Sequence, residues 1–179
     1  HYCGSPNCMG RCGLKDFPEG CEDLTTTGVI EKYLSGFKDK WTPTFRKFER
    51  SLVNKETTIE ESNEIWQSLA FYNYLQIAMT DARQGGEYED YQEAGQAFFE
   101  VCEKLLPDLI IVWGTGRLYN NMDMVNTSWE SGKELIVDEY SVPNGYYILP
   151  NGKKIRVVAV WHPSTSRGYS WDWWYKVLS

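Results

Sequence analysis

The segment from Ile155 to Trp174, IRVVAVWHPSTSRGYSWDWW, determines the fold expected for this chain. It begins with a β-branched apolar run that stops at His162 and Pro163, a pattern typical of a buried strand. Ligands of α/β proteins bind just outside the carboxyl ends of such strands. His162 is therefore expected beside a binding site, although a single histidine at a strand end can also have a purely structural role.

The composition predicts one globular domain spanning residues 1–179. Hydrophobic residues make up 42% and charged residues 24% of the chain, as in ordinary globular proteins. The formal net charge of −7 opposes nonspecific attachment to nucleic acid. No apolar run has the length of a membrane span, and no signal peptide is visible. We expect a cytoplasmic monomer without a membrane partner, with native residues preceding His1 because the chain lacks an initiating methionine.

The order of helix and strand signals predicts an α/β domain after a loop over residues 1–24. Helices are predicted to begin near five residues: Thr25, Pro43, Thr58, Tyr91 and Ser170. Buried strands are predicted over 108–113 and 157–161, and two short strands around a turn at 143–145. The aromatic segment 71–75 is compatible with a helix or a short strand. This order predicts a three-layer α/β/α sandwich around a central, mostly parallel sheet.

Four of the five cysteines lie within the first 21 residues: Cys3, Cys8, Cys12 and Cys21. Thiolates on a glycine-rich loop can hold structural zinc or an iron–sulfur cluster, and we rank this interpretation first. Their spacing is not a standard zinc motif, so two disulfides or four free thiols are the alternatives. Cys102, in a helical stretch, is predicted to be a buried apolar residue.

Four motifs follow one another along the chain. HYC occupies residues 1–3, FYNYLQ occupies 71–76, PDLIIVWG occupies 107–114, and HPS occupies 162–164. Each motif alone is weak, but their ordered combination resembles the uracil-DNA glycosylase superfamily over most of the chain, in particular its uncharacterised bacterial members. The resemblance implies an α/β hydrolase that cleaves the N-glycosidic bond of a flipped-out base such as uracil in DNA, with no cofactor needed for the chemistry.

The resemblance also implies roles for four residues around the base. Asn73 matches the asparagine whose amide pairs with the edge of an extruded pyrimidine. His162 matches the histidine that donates a hydrogen bond to the base oxygen as the glycosidic bond breaks. Tyr2 matches the aromatic residue of the pocket wall. Phe17 is a candidate stacking partner for the base, by its distance from Tyr2.

A further group is expected along the DNA. Ser164, Thr165, Ser166 and Arg167 would follow the backbone, with Arg167 as the principal phosphate contact. Tyr169 is either a wedge inserted into DNA or a core residue. The residue that positions the attacking water precedes the aromatic residue of the first motif in the superfamily, so it is unassigned in this chain.

Two other classes of function are compatible with the sequence. The first is a non-catalytic module on the same fold that binds nucleic acid or a nucleotide. The second is an extracellular, disulfide-bonded carbohydrate binder, because the chain contains eight Trp, twelve Tyr and seven Phe residues that can stack on sugars. Base release separates the glycosylase from both, and thiol titration separates the disulfide-bonded protein from the others.

Overall fold

The computed structural model describes residues 26–75, 85–122, 128–165 and 168–179. Its strands are β1 (Leu109–Trp113), β2 (Trp129–Ser131), β3 (Ile136–Val137), β4 (Tyr140–Ser141), β5 (Asn144–Ile148) and β6 (Lys154–Val160). Its helices are α1 (Thr26–Leu34), α2 (Thr42–Val53), α3 (Ile59–Gln67), α4 (Tyr88–Leu105), α5 (Arg117–Asn121) and α6 (Trp171–Leu178). Within these ranges no helix is both long and apolar enough to cross a membrane.

The main sheet is mixed and has the strand order β1-β6-β5-β2. β1 runs parallel to β6, whereas the β6–β5 and β5–β2 pairs are antiparallel. The α/β class is confirmed, but the predicted excess of parallel pairing is not found in the described part of the sheet. The reason is local: the short connection from Ile148 to Lys154 can only fold back into an antiparallel pair, because a parallel pair needs a long crossover.

β6 is buried on both faces, which accounts for its unbroken apolar run. Val157 and Ala159 belong to one core cluster with side chains of α4, among them Phe98. Val158 and Val160 belong to a second cluster with α6, in which Trp174 is 1% exposed. Helices therefore pack against both faces of this strand.

A third core cluster joins α1, α2 and α3 through four aromatic residues: Tyr33, Phe45, Phe48 and Trp66. Trp113, at the end of β1, packs against Phe45 and Phe48 with ring centroids 5.7 and 4.8 Å away. The three N-terminal helices are thereby attached to the edge of the sheet at which β1 ends.

Glu49 of α2 is fully buried within this helical unit. Its carboxylate accepts hydrogen bonds from Thr57 Oγ1 at 2.7 Å, Ser62 Oγ at 2.9 Å and Trp66 Nε1 at 2.6 Å. A buried carboxylate is tolerated when several donors satisfy it. The interaction holds α2 against α3.

The predicted helix starts are largely confirmed. The capping box of Thr58 and Glu61 is present at the start of α3, and Pro43 lies in the first turn of α2. α4 begins at Tyr88, three residues earlier than predicted, because Glu87 and Asp90 form their own reciprocal cap. Cys102 is buried in α4, as expected.

Two predicted elements are wrong. Residues 71–75 form neither a helix nor a strand. The segment 143–145 is not a turn, since β5 begins at Asn144 and the short hairpin instead turns at Asp138 and Glu139, between β3 and β4. Gly145 is required by packing: a Cβ there would lie 2.1 Å from the Trp129 indole on the neighbouring strand.

Candidate functional site

A cavity of about 610 Å³ opens at the carboxyl ends of β1 and β6. The two strands end in register, with Trp113 opposite Val160, and the Gly114 N–H donates to the Val160 carbonyl at 2.8 Å. The glycine-rich turn after β1 and the HPS loop after β6 are therefore neighbours. This is the edge at which α/β sheets bind ligands.

His162 lines this cavity, and its hydrogen bonds define its tautomer. The Ser164 backbone N–H donates to Nδ1 at 3.2 Å, and the Ser164 hydroxyl lies 2.8 Å from the same atom. Because Nδ1 accepts, the proton of the neutral ring is assigned to Nε2, which is then a hydrogen-bond donor. The Trp113 ring meets the imidazole edge to face, with centroids 5.8 Å apart, and limits its rotation.

The pKa of His162 is lowered from its ordinary value of 6.5 by burial. The ring is accessible from the cavity mouth, but the protein around it withholds enough water to disfavour the imidazolium. The neutral, Nε2-protonated form therefore predominates at neutral pH.

Asn73 lines the same cavity from the segment between α3 and α4. Its Nδ2 donates to the Thr26 hydroxyl at 3.1 Å, which joins the site to the first residue of α1. This contact orients the amide although residues 71–75 have no regular secondary structure. The structure thus brings together the two residues, Asn73 and His162, that the sequence motifs singled out.

The remaining walls combine aromatic, hydroxyl and cationic groups. Trp113 and Trp161 supply ring surface, and Thr115 and Thr165 supply hydroxyls. Arg117 is the one side chain with a permanent positive charge among the described lining residues. Aromatic faces beside convergent donors and acceptors suit a flat polar ring, and a guanidinium suits an attached phosphate.

Other predicted residues are placed differently or lie outside the described part of the chain. Ser164 is exposed at the cavity mouth and its hydroxyl contacts His162 Nδ1, and its contact with DNA stays a prediction. Tyr169 is 6% exposed and donates to Ser51 Oγ at 3.0 Å, so the wedge interpretation is wrong and the core interpretation correct. The predictions outside the described residues concern Tyr2, Phe17, Ser166, Arg167, Cys3, Cys8, Cys12 and Cys21.

Sequence reasoning did not identify Thr26, Trp113 or Arg117 as site residues. Trp113 and Arg117 flank the Gly114-Thr115-Gly116 turn, and the rule that parallel strands meet ligands at their carboxyl ends could have indicated both. Thr26 carries no such signal, because its contact with Asn73 spans 47 residues of sequence.

Comparisons of the chain with known protein families, with curated proteins and with solved structures found no match. The function of the cavity is therefore inferred from its geometry and from the motifs that supply its residues.

Proposed function

We propose that the cavity receives a pyrimidine base extruded from DNA and that the protein hydrolyses the N-glycosidic bond of that nucleotide. The observation that carries this proposal is the presence of Asn73 and His162 in one cavity at the carboxyl edge of the sheet. These residues come from two distant motifs, and their side chains supply complementary hydrogen-bonding chemistry.

Asn73 would recognise the base. A carboxamide offers one acceptor and one donor side by side, which matches the N–H and carbonyl on the pairing edge of uracil. The Thr26 hydroxyl would hold the amide in the orientation required for pairing. Trp113 and Trp161 would supply apolar surface against the ring faces.

His162 would stabilise the departing base. As the bond between C1′ and the base nitrogen breaks, the base leaves with the electron pair and negative charge develops on its carbonyl oxygen. A neutral imidazole that donates from Nε2 stabilises this charge without first losing a proton. Water completes the reaction: its hydroxyl bonds to C1′ and its remaining proton is taken up in forming the neutral base.

Two structural expectations belong to the same proposal. We propose that the helices on both faces of β6 are the outer layers of a three-layer α/β/α arrangement. We also propose that Cys3, Cys8, Cys12 and Cys21 bind structural zinc or an iron–sulfur cluster. Metal analysis of the purified protein, followed by thiol titration after denaturation, tests the second point, since two disulfides would leave no bound metal and one titratable thiol, that of Cys102.

The experiment is a base-release assay on uracil-containing single-stranded and mismatched oligonucleotides. We expect release of uracil, and a decrease of about 100-fold or more in rate for His162→Ala and Asn73→Ala, as for loss of an oxyanion-hole donor. Asn63→Ala is the matched control, because the Asn63 amide bonds only locally to the Ile59 carbonyl of its own helix.

The possible outcomes separate the competing functions. Uracil binding that depends on Asn73, without release, would replace the hydrolase by a non-catalytic binding module. Release that persists unchanged in both variants would contradict the assignment of this cavity as the site.

A further inference from the structure

A second cavity, also of about 610 Å³, lies beside the first, and Trp161 lines both. Its walls come from the β3–β4 hairpin, the segment before α6, and α6 itself. Its aromatic lining consists of Tyr140, Trp161, Tyr169, Trp173 and Trp174. Apart from Trp161, none of the residues lining this aromatic cleft has a role in the proposed glycosidic chemistry.

The rings of the aromatic cleft face in different directions. Tyr140 is inclined by 87° to Trp161 and by 79° to Trp173, and Trp173 is inclined by 85° to Trp174. Tyr140, Trp161 and Trp173 are only partly buried, so they offer ring surface to a ligand. The face of an aromatic ring is negative and attracts cations, most strongly for indole.

The one charged residue of the described cleft lining is Asp138, an acid. Its carboxylate pairs with Lys176 Nζ at 2.9 Å, and both side chains are more than half exposed. Hydrogen bonding and charge from Lys176 lower the pKa of Asp138, so the carboxylate is ionised at neutral pH. An exposed pair of this kind is weak and exchangeable.

The β3–β4 turn determines where Asp138 lies. Asp138 has φ of 46° and Glu139 has φ of 66°, both in the left-handed region. Aspartate is among the residues that adopt this region in two-residue hairpin turns, so Asp138 suits its position, whereas Glu139 does not. Here the turn brings a carboxylate to the edge of an aromatic wall.

We propose that the aromatic cleft binds an organic cation, an alkylammonium or guanidinium group, with Asp138 as its counter-ion in place of Lys176. The cation would lie against the exposed indole surface of Trp161 and Trp173. The acidic lining disfavours a nucleotide, because its phosphate would meet the Asp138 carboxylate. This inference does not depend on the glycosidic activity.

Titration of the protein at low ionic strength tests the inference, with the indole N–H signals followed by NMR. Spermidine represents a free polyamine, and a capped Gly-Arg-Gly peptide represents the side chain of a protein partner. We expect saturable shifts of the Trp161 and Trp173 signals with at least one of these probes, and the tighter probe identifies the source. Trp66 is an internal control, because its indole is buried against Glu49 and should not shift.

Three variants make the test specific. Asp138→Asn should weaken binding about fivefold or more, and Glu64→Gln, which changes an exposed carboxylate outside the lining, should change it less than twofold. Lys176→Met should strengthen binding several-fold, because it removes the resident ammonium from Asp138. Each variant keeps the aromatic core intact.

The inference is overturned if neither cation shifts the two signals up to millimolar concentration. It is also overturned if adenosine monophosphate binds the aromatic cleft more tightly than either cation, or if affinity is the same in Asp138→Asn and Lys176→Met as in the unaltered protein.

Discussion

The neutral imidazole of His162 is the group on which the proposed chemistry depends most. Its Nδ1 accepts a hydrogen bond from the Ser164 N–H, so its Nε2–H can donate to a ligand in the cavity. Protonation would break the contact with the Ser164 N–H and would replace the neutral donor by a cation. The folded protein resists this change, since burial lowers the pKa of His162 below 6.5.

The rate of base release should therefore fall on acidification with a midpoint below pH 6.5, as kcat/KM measured against pH would show.

The lowered pKa of His162 also affects the stability of the folded protein. As pH falls, His162 of the unfolded chain takes up a proton before His162 of the folded chain does. The contribution of neutral His162 to the free energy of unfolding is therefore fully present above pH 6.5, and it is lost as pH falls through the lowered pKa of the folded state. An NMR titration of the His162 ring with a midpoint above 6.5 would contradict the assignment.

Thr26 is expected to position Asn73. Thr26→Val keeps the shape of the side chain but removes the hydroxyl that the amide contacts, so kcat/KM for base release should fall about tenfold. Thr26→Ser should restore most of the rate. Thr27→Val, at the exposed next position of α1, is the matched control. A normal rate in Thr26→Val, alongside an inactive Asn73→Ala, would show that the amide needs no such support.

Sequence alone identified the two central side chains because each stands in a short motif at a recognisable place. Asn73 is a polar residue in an aromatic run, and His162 follows a β-branched strand. The groups that orient them, Thr26 and Trp113, come from elsewhere in the chain. Only the folded chain brings Thr26 close to Asn73, so no local pattern could identify its role, whereas the position of Trp113 at the end of a strand could have indicated it.

At the level of elements, the α2–α3 pair depends on the buried Glu49 carboxylate, whose hydrogen-bond donors among the described residues are neutral side chains. Glu49 is satisfied by two hydroxyls and one indole, all neutral. These three hydrogen bonds specify one arrangement of α2 against α3, because each donor must approach the carboxylate from a different direction.

Glu49→Ala should lower the free energy of unfolding by about 3–5 kcal/mol, since it opens a cavity and leaves buried donors unpaired. Glu49→Gln, which keeps the volume, should lose less. Glu56→Ala is the control, because Glu56 pairs with Arg50 while its side chain is 80% exposed, and it should change stability by about 0.5 kcal/mol or less. Urea denaturation followed by circular dichroism measures all three, and equal effects of Glu49→Ala and Glu56→Ala would refute the argument.

Most helices could be predicted because capping and amphipathic spacing are local. The errors arose where tertiary packing decides the structure. Pro143-Asn144-Gly145 has the composition of a turn, but Gly145 is a strand residue that makes room for Trp129. Residues 71–75 are apolar and aromatic, but Phe71 and Tyr74 contact two different core clusters, which excludes a helix because residues three apart share one helix face.

At the scale of the whole molecule, the two ends of the described chain meet in the core. The Tyr169 hydroxyl donates to Ser51 Oγ in a buried hydrogen bond between residues 118 positions apart. α2 packs against α6 in the same region, so the N-terminal helices and the C-terminal helix are parts of one structure.

Tyr169→Phe should lower the free energy of unfolding by about 1 kcal/mol, the net value of one buried hydrogen bond. The loss is limited because Ser51 keeps its bond to the Phe48 carbonyl. Tyr88→Phe, at a residue that is 66% exposed, should have no measurable effect. Thermal unfolding detects the difference, and unaltered stability in Tyr169→Phe would show that the two ends are coupled by packing alone.

The α/β class followed from the order of elements, but the mixed sheet did not. Strand signals give the position of β5 and β6 without their relative direction, and the strand β2 was not predicted at all. Direction depends on how the connections run in space. The short connection between β5 and β6 determines their relative direction, whereas β1 and β6 are separated along the chain by the other four described strands.

The antiparallel β5–β6 pair and the parallel β1–β6 pair are expected to form at different stages of folding. β5 and β6 can close as a hairpin through a short turn, in which the Gly152 N–H bonds the Leu149 carbonyl. β1 can join β6 only after a loop of some forty residues closes, which is an entropically slow step. The candidate cavity lies at the junction of β1 and β6, so it should be among the last features to form. Refolding kinetics test this order. Ile148→Val, in the β5–β6 hairpin, should slow folding more than Ile111→Val, in β1.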